Sequence, residues 1–560
     1  MGWPRSLRSL PRVDEPGRGG YPWSSAFALA FRIPPRMTRA ISRAPLAALA
    51  ALATLFAAAP AFADDPTPAP NAGDKALADK IDAATARPPI DETASTTHHS
   101  VTVRGKTLGY DATAGTLTIR DNDGKPTASV FYVAYVADAG KGSAHRPVTF
   151  LYNGGPGSSS LWLHMGSLGP MRLKTASPEA TGPAPYSFVP NDETLLDKTD
   201  MVFIDAIGTG FSRPLGKTEG KAFWGVDQDA DAFARAITRY VILNGRANSP
   251  KFLFGESYGT TRSAALALVL HNRGMDLNGV ILLSSWLNTD SDNPGQDLPY
   301  VEYLPSYAAT AWYHNKLVNR PADLPAFLAE VRAYAAGPYA TALFKGQDIS
   351  PAEADAVARQ LSAYTGLSAD YIKRAKLRVN LDRFRKELLR DQGHTVGRLD
   401  SRFLGSDQDT AGEAPDYDAS SSSVSGAFTA ALSEYVTGEL KFKTNLDYRA
   451  SYYAAGRDWD FGHRPPNSGE KAHDSAVMLD LAQTMRENPH MKVLSLNGWY
   501  DMATPFFETE YDIGRMLLDT DQRKNLSFAY YASGHMVYLN PDALKQMRAD
   551  LGRFYDEAAP

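Results

Sequence analysis

The stretch Lys251-Phe-Leu-Phe-Gly-Glu-Ser-Tyr-Gly259 sets a serine between two glycines, with an apolar run before it and a helical pattern after it. Glycines at 255 and 259 let a strand turn sharply into a helix. The serine between them is lifted on a strained turn, with its hydroxyl free to face a substrate. Ser257 is therefore a candidate nucleophile. A serine hydroxyl needs a base, and imidazole is the usual one near neutral pH. Eleven histidines compete for that role. His535 stands apart because Ser533-Gly-His-Met536 follows the apolar run Leu526–Tyr530 and precedes a helix starting near Pro541. That places it at the carboxyl end of a strand, where parallel sheets build their sites. The imidazole in turn needs an acid to fix its tautomer. Asp501 follows the run Val493–Leu496, one strand–helix unit before His535.

An oxyanion formed at Ser257 needs backbone donors. The segment Leu151-Tyr-Asn-Gly-Gly-Pro-Gly-Ser-Ser-Ser160 directly follows the run Val148–Tyr152, and glycine there lets backbone approach a ligand closely. No lysine stands where a phosphate-binding loop would need one. The amide of Tyr258, just after the nucleophile, is a natural second donor.

These residues must be held by a scaffold, and the apolar runs describe one. Val148–Tyr152, Met201–Asp205, Phe252–Phe254, Val280–Ser284, Val493–Leu496 and Leu526–Tyr530 are short and apolar, as strands covered on both faces are. Helical patterns at Val226–Leu243, Thr260–Asn272, Ser475–Glu487 and Phe506–Leu518 alternate with them. The alternation predicts an α/β fold with a mostly parallel central sheet. With the chain order Ser257, Asp501, His535, it is the pattern of the α/β-hydrolase fold. Upstream, Thr116–Arg120 and Ser129–Val136 flank Asp121-Asn-Asp-Gly124 and predict an antiparallel hairpin.

Five regions follow. Residues 1–63 hold an upstream extension and a signal peptide, and residues 64–97 form an Ala/Pro-rich linker. Residues 98–290 are the first part of the hydrolase core. Residues 291–470 are an inserted helical cap, and residues 471–560 complete the core. The leader is expected to start at Met37, with Arg39 and Arg43 before an Ala-rich apolar stretch and cleavage after Ala61-Phe-Ala63. This predicts a periplasmic or secreted protein without a stable membrane span after processing.

Composition narrows the chemistry. Apolar residues make up 43% and charged residues 22%, so a folded globular enzyme is the expectation rather than disorder. Without cysteine the chain has no disulfide, thiolate nucleophile or Cys-ligated zinc. The net charge is −5, and eight arginines fall in residues 1–63 against only Asp14 and Glu15. The body is thus more acidic than the total, which argues against a nucleic-acid partner.

Four ordered motifs resemble the serine carboxypeptidase family. They are Asn153-Gly-Gly-Pro-Gly-Ser-Ser-Ser160, Asp205-Ala-Ile-Gly-Thr-Gly-Phe-Ser212, Gly255-Glu-Ser-Tyr-Gly259 and Gly534-His-Met-Val537. The resemblance implies that Gly155 and Tyr258 supply the oxyanion amides. It also implies that Asn153, Gly154 and Glu256 bind the terminal carboxylate of a peptide, with no cofactor. An ionised Glu256 would repel that carboxylate, whereas a protonated one can donate to it. The chain departs from the family where a second Glu usually precedes Leu-Gly-Pro, since it has Ser167-Leu-Gly-Pro170. Ser158 replaces a customary cysteine, and Trp499 a customary Asp. The expected function is an exported serine carboxypeptidase working through an acyl-enzyme on peptides with a free C-terminal carboxylate. An esterase or acyltransferase on the same scaffold is the alternative, and a catalytically dead binding protein a remoter one.

Overall fold

The computed structural model describes residues 90–138, 145–290 and 293–559. The expected leader, and the linker as far as residue 89, lie outside these residues. The chain builds an antiparallel meander first, from β1 (Ala94–Val103), β2 (Lys106–Arg120) and β3 (Pro126–Ala137). The Asp121–Gly124 turn joins β2 to β3, with the Asp121 carboxylate accepting the amides of Asp123 and Lys125 at 3.1 and 2.9 Å. Asp is favoured at such turns because its side chain can cap its own backbone.

β1 starts four residues before the boundary drawn at residue 98. Its first residues, Ala94-Ser-Thr-Thr97, carry no apolar pattern, and the ladder to β2 makes them a strand. β2 likewise runs ten residues upstream of Thr116, through Gly109 and Gly115, because β1 and β3 pair with it on either side. Local β-propensity yields here to pairing.

The parallel part follows. β4 (Val148–Tyr152), β5 (Asp200–Ile204), β6 (Lys251–Ser257), β7 (Gly279–Ser285), β8 (Lys492–Gly498) and β9 (Leu526–Tyr531) lie in the order β1-β2-β3-β5-β4-β6-β7-β8-β9. Every pair from β5 to β9 along this order is parallel. Successive side chains point to opposite faces of a strand. Met201, Phe203, Phe252, Phe254, Ile281 and Leu283 accordingly fill one core. Val202, Leu253, Val280 and Leu282, one residue out of phase, fill the other. The runs of β4 to β8 read as continuously apolar because both faces are covered; β9, at the edge of the sheet, is only partly buried, with Ser527 and Phe528 exposed.

Helices α1 (Val226–Leu243) and α2 (Tyr258–Asn272) cover the second face. α3 (Leu298–Tyr313) opens the insertion, and α4 (Met478–Glu487) joins the second face after it. α5 (Phe506–Gly514) follows β8, and α6 (Pro541–Ala558) closes the first face through Leu544, Met547 and Leu551. α6 starts where Asn540 caps the Asp542 amide and Pro541 supplies a preset first turn. Between β7 and α4 the chain is largely helical. Part of it has a core of its own, with Leu304, Tyr307, Leu328 and Phe384 packed together. That core extends to Tyr500, Met502 and Phe506, on either side of Asp501. The order and direction of the strands are those of the α/β-hydrolase fold.

Candidate active site

β6 ends at Ser257, whose backbone sits at φ 60°, ψ −134°. A non-glycine residue held there stores strain on the order of 1–3 kcal/mol and needs surroundings that enforce it. The surroundings are glycines. A Cβ on Gly255 would lie 2.0 Å from the Gly259 carbonyl oxygen, and one on Gly259 would lie 2.8 Å from that of Tyr152. Strand, turn and helix thus pack closer than any side chain allows.

His535 and Asp501 arrive on the loops after β9 and β8. His535 Nδ1 lies 2.8 Å from Asp501 Oδ2. The Asp501 carboxylate is fixed by the amides of Ala503 and Thr504 and by the Thr504 hydroxyl, which donates to Oδ2 at 2.8 Å. The same hydroxyl is 3.1 Å from His535 Nδ1. With Nδ1 turned to the acid, Nε2 is the ring nitrogen that Asp501 does not engage, and Ser257 and His535 line the same cavity. Burial pulls His535 toward its neutral form, but the charge of Asp501 and the hydrogen bond to it more than offset this, so its pKa is raised.

Residues 398–402, from the middle of the insertion, strap these two loops together. The Arg398 carbonyl accepts the Met502 amide at 3.1 Å, and the Ser401 amide donates to the Tyr500 carbonyl at 3.0 Å. On the other side the His535 amide donates to the Leu399 carbonyl at 2.6 Å. Asp400 accepts the Gly534 amide at 3.1 Å and pairs with the buried Arg402 at 2.6 Å. Arg402 also reaches the Ala532 carbonyl and the Ser533 hydroxyl. Gly534 must be glycine, since a Cβ there would lie 2.4 Å from Asp400 Cβ. From β7, the Ser284 hydroxyl holds the His535 carbonyl at 2.7 Å.

The Gly-rich loop after β4 passes directly over the elbow. A Cβ on Gly154 would lie 2.4 Å from the amide nitrogens of both Tyr258 and Gly259. Gly155 has φ +104° and lines the cavity. Fully buried Arg262, on α2, donates to the Asn153 carbonyl at 2.7 Å and pairs with Asp229 of α1 at 2.6 Å. Asp205, at the end of β5, accepts the Ser160 amide at 2.9 Å. A charged pair between two helices therefore holds the start of the loop, and the Asp205 carboxyl holds its end.

Asn153 and Glu256 line the same cavity. Asn153 Oδ1 accepts the Leu163 amide at 2.8 Å, which leaves its amide nitrogen for Glu256. Glu256 is 2% exposed and receives the Tyr538 hydroxyl at 2.9 Å. Burial pushes the Glu256 carboxyl up to about 7, against the opposing pull of His535, Tyr538 and Asn153. Ser167 is buried, and its hydroxyl donates to the Leu163 carbonyl. Trp162, Leu399 and Met536 give the cavity an apolar wall.

All eight residues singled out in the sequence lie in or beside this one cavity, although their chain positions span 153 to 535. Sequence reasoning missed Thr504, Asp400, Arg402 and Tyr538. Thr504 and Tyr538 each sit three residues past a candidate, so adjacency was a usable signal. Nothing local marks Asp400 or Arg402.

Residues 105–318 match the family model described as serine carboxypeptidase. The pheromone-processing carboxypeptidase KEX1 of Saccharomyces cerevisiae is 24% identical over 218 residues, which are 34% of this chain and 27% of that protein. The chain thus spans about a quarter of the length of the curated relatives it matches. Among solved structures, the prohormone-processing carboxypeptidase KEX1(delta)p of S. cerevisiae aligns at 18% identity and TM-score 0.48, over 80% of this chain and 91% of that one. The Mycobacterium smegmatis proline iminopeptidase aligns at 14% identity and TM-score 0.32, over 79% of this chain and 98% of that one.

Proposed function

We propose that this serine carboxypeptidase-like α/β-hydrolase is an exported peptidase that releases C-terminal residues through an acyl-enzyme. Ser257 Oγ attacks the scissile carbonyl carbon while its proton passes to His535 Nε2. Asp501 holds the imidazole and stabilises its charged form. The amides of Gly155 and Tyr258 hold the oxyanion. The C–N bond then breaks, and the leaving amine takes the proton from His535. Water, deprotonated by the same imidazole, cleaves the ester and restores Ser257. No step calls for a metal or an organic cofactor.

The observation that carries this reading is the 2.8 Å contact of His535 with Asp501 beside a serine on a strained elbow. Glu256 carries the carboxypeptidase part. It is a buried carboxyl in the wall of the same cavity, with its pKa raised to about 7 by burial. A protonated Glu256, with Asn153 and Gly154 beside it, can donate to a terminal carboxylate that its ionised form would repel. The apolar wall suits an uncharged terminal side chain. Residues 291–470 act in this reading as the cap over the site. Export rests on the leader expected over Met37–Ala63. Among the described residues no helix is long and apolar enough to cross a membrane.

The test compares a blocked dipeptide with its C-terminal amide and its methyl ester. Preference for the free carboxylate supports the carboxypeptidase, whereas equal or better turnover of the ester favours an esterase or acyltransferase. Labelling by a fluorophosphonate, lost in Ser257→Ala, separates either from an inactive scaffold. N-terminal sequencing of exported protein should find a chain beginning near Asp64.

A further inference from the structure

Tyr538 lies in the short turn Val537–Leu539, three residues past His535, and is fully buried. Its hydroxyl donates to the Glu256 carboxyl, 2.9 and 3.2 Å from its two oxygens, beside the Asn153 side chain. The ring fits only because residue 166 is glycine: a Cβ there would lie 2.6 Å from Tyr538 Cε2 and 3.0 Å from Phe428 Cζ. The neighbouring Ser167 contributes nothing to this cluster, since its hydroxyl is committed to the Leu163 carbonyl.

We infer that Tyr538 is a positioning residue for substrate recognition: it orients the Glu256 carboxyl toward the cavity and sets the pH range over which that carboxyl can receive a substrate carboxylate. The inference rests on the reading of Glu256 as the carboxylate-binding group.

The groups facing Glu256 are few. His535 comes from the loop after β9, Asp501 from the loop after β8, Tyr538 from the turn before α6, and uncharged Asn153 from the loop after β4. His535, Tyr538 and Asn153 favour the ionised carboxyl, while burial and Asp501 oppose it. A second carboxyl in this position would share a proton with Glu256, and the two would titrate as a pair. A phenol does not. Burial and the charge of Glu256 push the Tyr538 hydroxyl well above its ordinary range, so it stays a fixed neutral donor. Glu256 then loses its proton without a proton-sharing partner.

Removing the phenol hydroxyl removes a donor that favours ionised Glu256. The carboxyl should then hold its proton to higher pH. In Tyr538→Phe the alkaline fall of kcat/KM on a free-acid dipeptide should move up by about one pH unit, the size of one lost hydrogen bond. The methyl ester, which presents no carboxylate, should show no matching shift on the alkaline side. Gly166→Ala should displace the ring and move the free-acid limb in the same direction. Glu256→Gln should lose the limb altogether, and adding Tyr538→Phe to it should shift nothing further. Unmoved limbs in Tyr538→Phe and Gly166→Ala, with the wild-type preference for the free acid intact, would overturn the inference alone. Equal losses on acid and ester at every pH would also overturn it, because that is what a purely structural role produces. Absence of any wild-type preference for the free acid would remove the reading of Glu256, and the inference with it.

Discussion

Asp400 accepts the backbone amide of Gly534 at 3.1 Å, which fastens the insertion to the residue before His535. Arg402 shares the same carboxylate, and both side chains are buried. The insertion thus braces the site as well as adding to it. In Asp400→Ala the guanidinium is left buried without its acid, which costs about 3–5 kcal/mol. The Gly534 amide loses its acceptor too. The double change Asp400→Leu with Arg402→Met should recover stability in a thermal melt, because no charge is left unpaired. It should not recover kcat, which is expected to stay on the order of 10²-fold down with little change in KM, as for a small misplacement of a catalytic group.

Gly154→Ala tests the loop over the elbow. The added methyl would meet the Tyr258 and Gly259 amide nitrogens at 2.4 Å, so the loop must move. A displaced oxyanion loop should lower kcat by about 10²–10³, the usual loss of one oxyanion donor. Fluorophosphonate labelling should slow in parallel. Normal kcat in this variant would remove the loop from the mechanism.

On the proposed mechanism, the pH profile of the native protein should depend on the substrate. His535 must be neutral to act as base, and Asp501 raises its pKa above the ordinary imidazole value. Activity on an ester should therefore rise with pH, with its midpoint above about 6.5, and then stay level. Glu256 must be protonated to receive a carboxylate, and its pKa is about 7. Activity on a free-acid peptide should therefore be bell-shaped and fall on the alkaline side of neutrality. Steady-state kinetics on matched acid and ester from pH 4 to 10 would decide it, and identical profiles would count against a role for Glu256.

His463 gives a second, structural pH dependence. It is buried between Asp227 of α1 and Asp480 of α4, at 2.6 and 2.9 Å. Burial favours the neutral ring, but the two carboxylates outweigh it and raise the pKa to about 9. A folded-state pKa above the unfolded value means that the stabilisation is fully present below about 6.5 and is lost as pH rises through 9. The upper bound is about 3 kcal/mol. The melting temperature should fall between pH 6.5 and 9, and His463→Gln should flatten that slope. A slope unchanged in the variant would assign it to other groups.

The sequence by itself determined the elements whose signals are local. Val148–Tyr152, Val226–Leu243 and the helix start at Pro541 lie where their patterns put them, because an apolar run or a capping residue acts within a few positions. The eight candidate residues were legible for the same reason, each standing in a short motif at a strand end. The tertiary structure alone decided what brings them together. β1 exists through its ladder to β2, Asp400 meets Gly534 across 134 residues, and Tyr538 meets Glu256 across 282. Such contacts join segments with no shared periodicity, and only the closure of the sheet and the packing of the insertion against it make them neighbours.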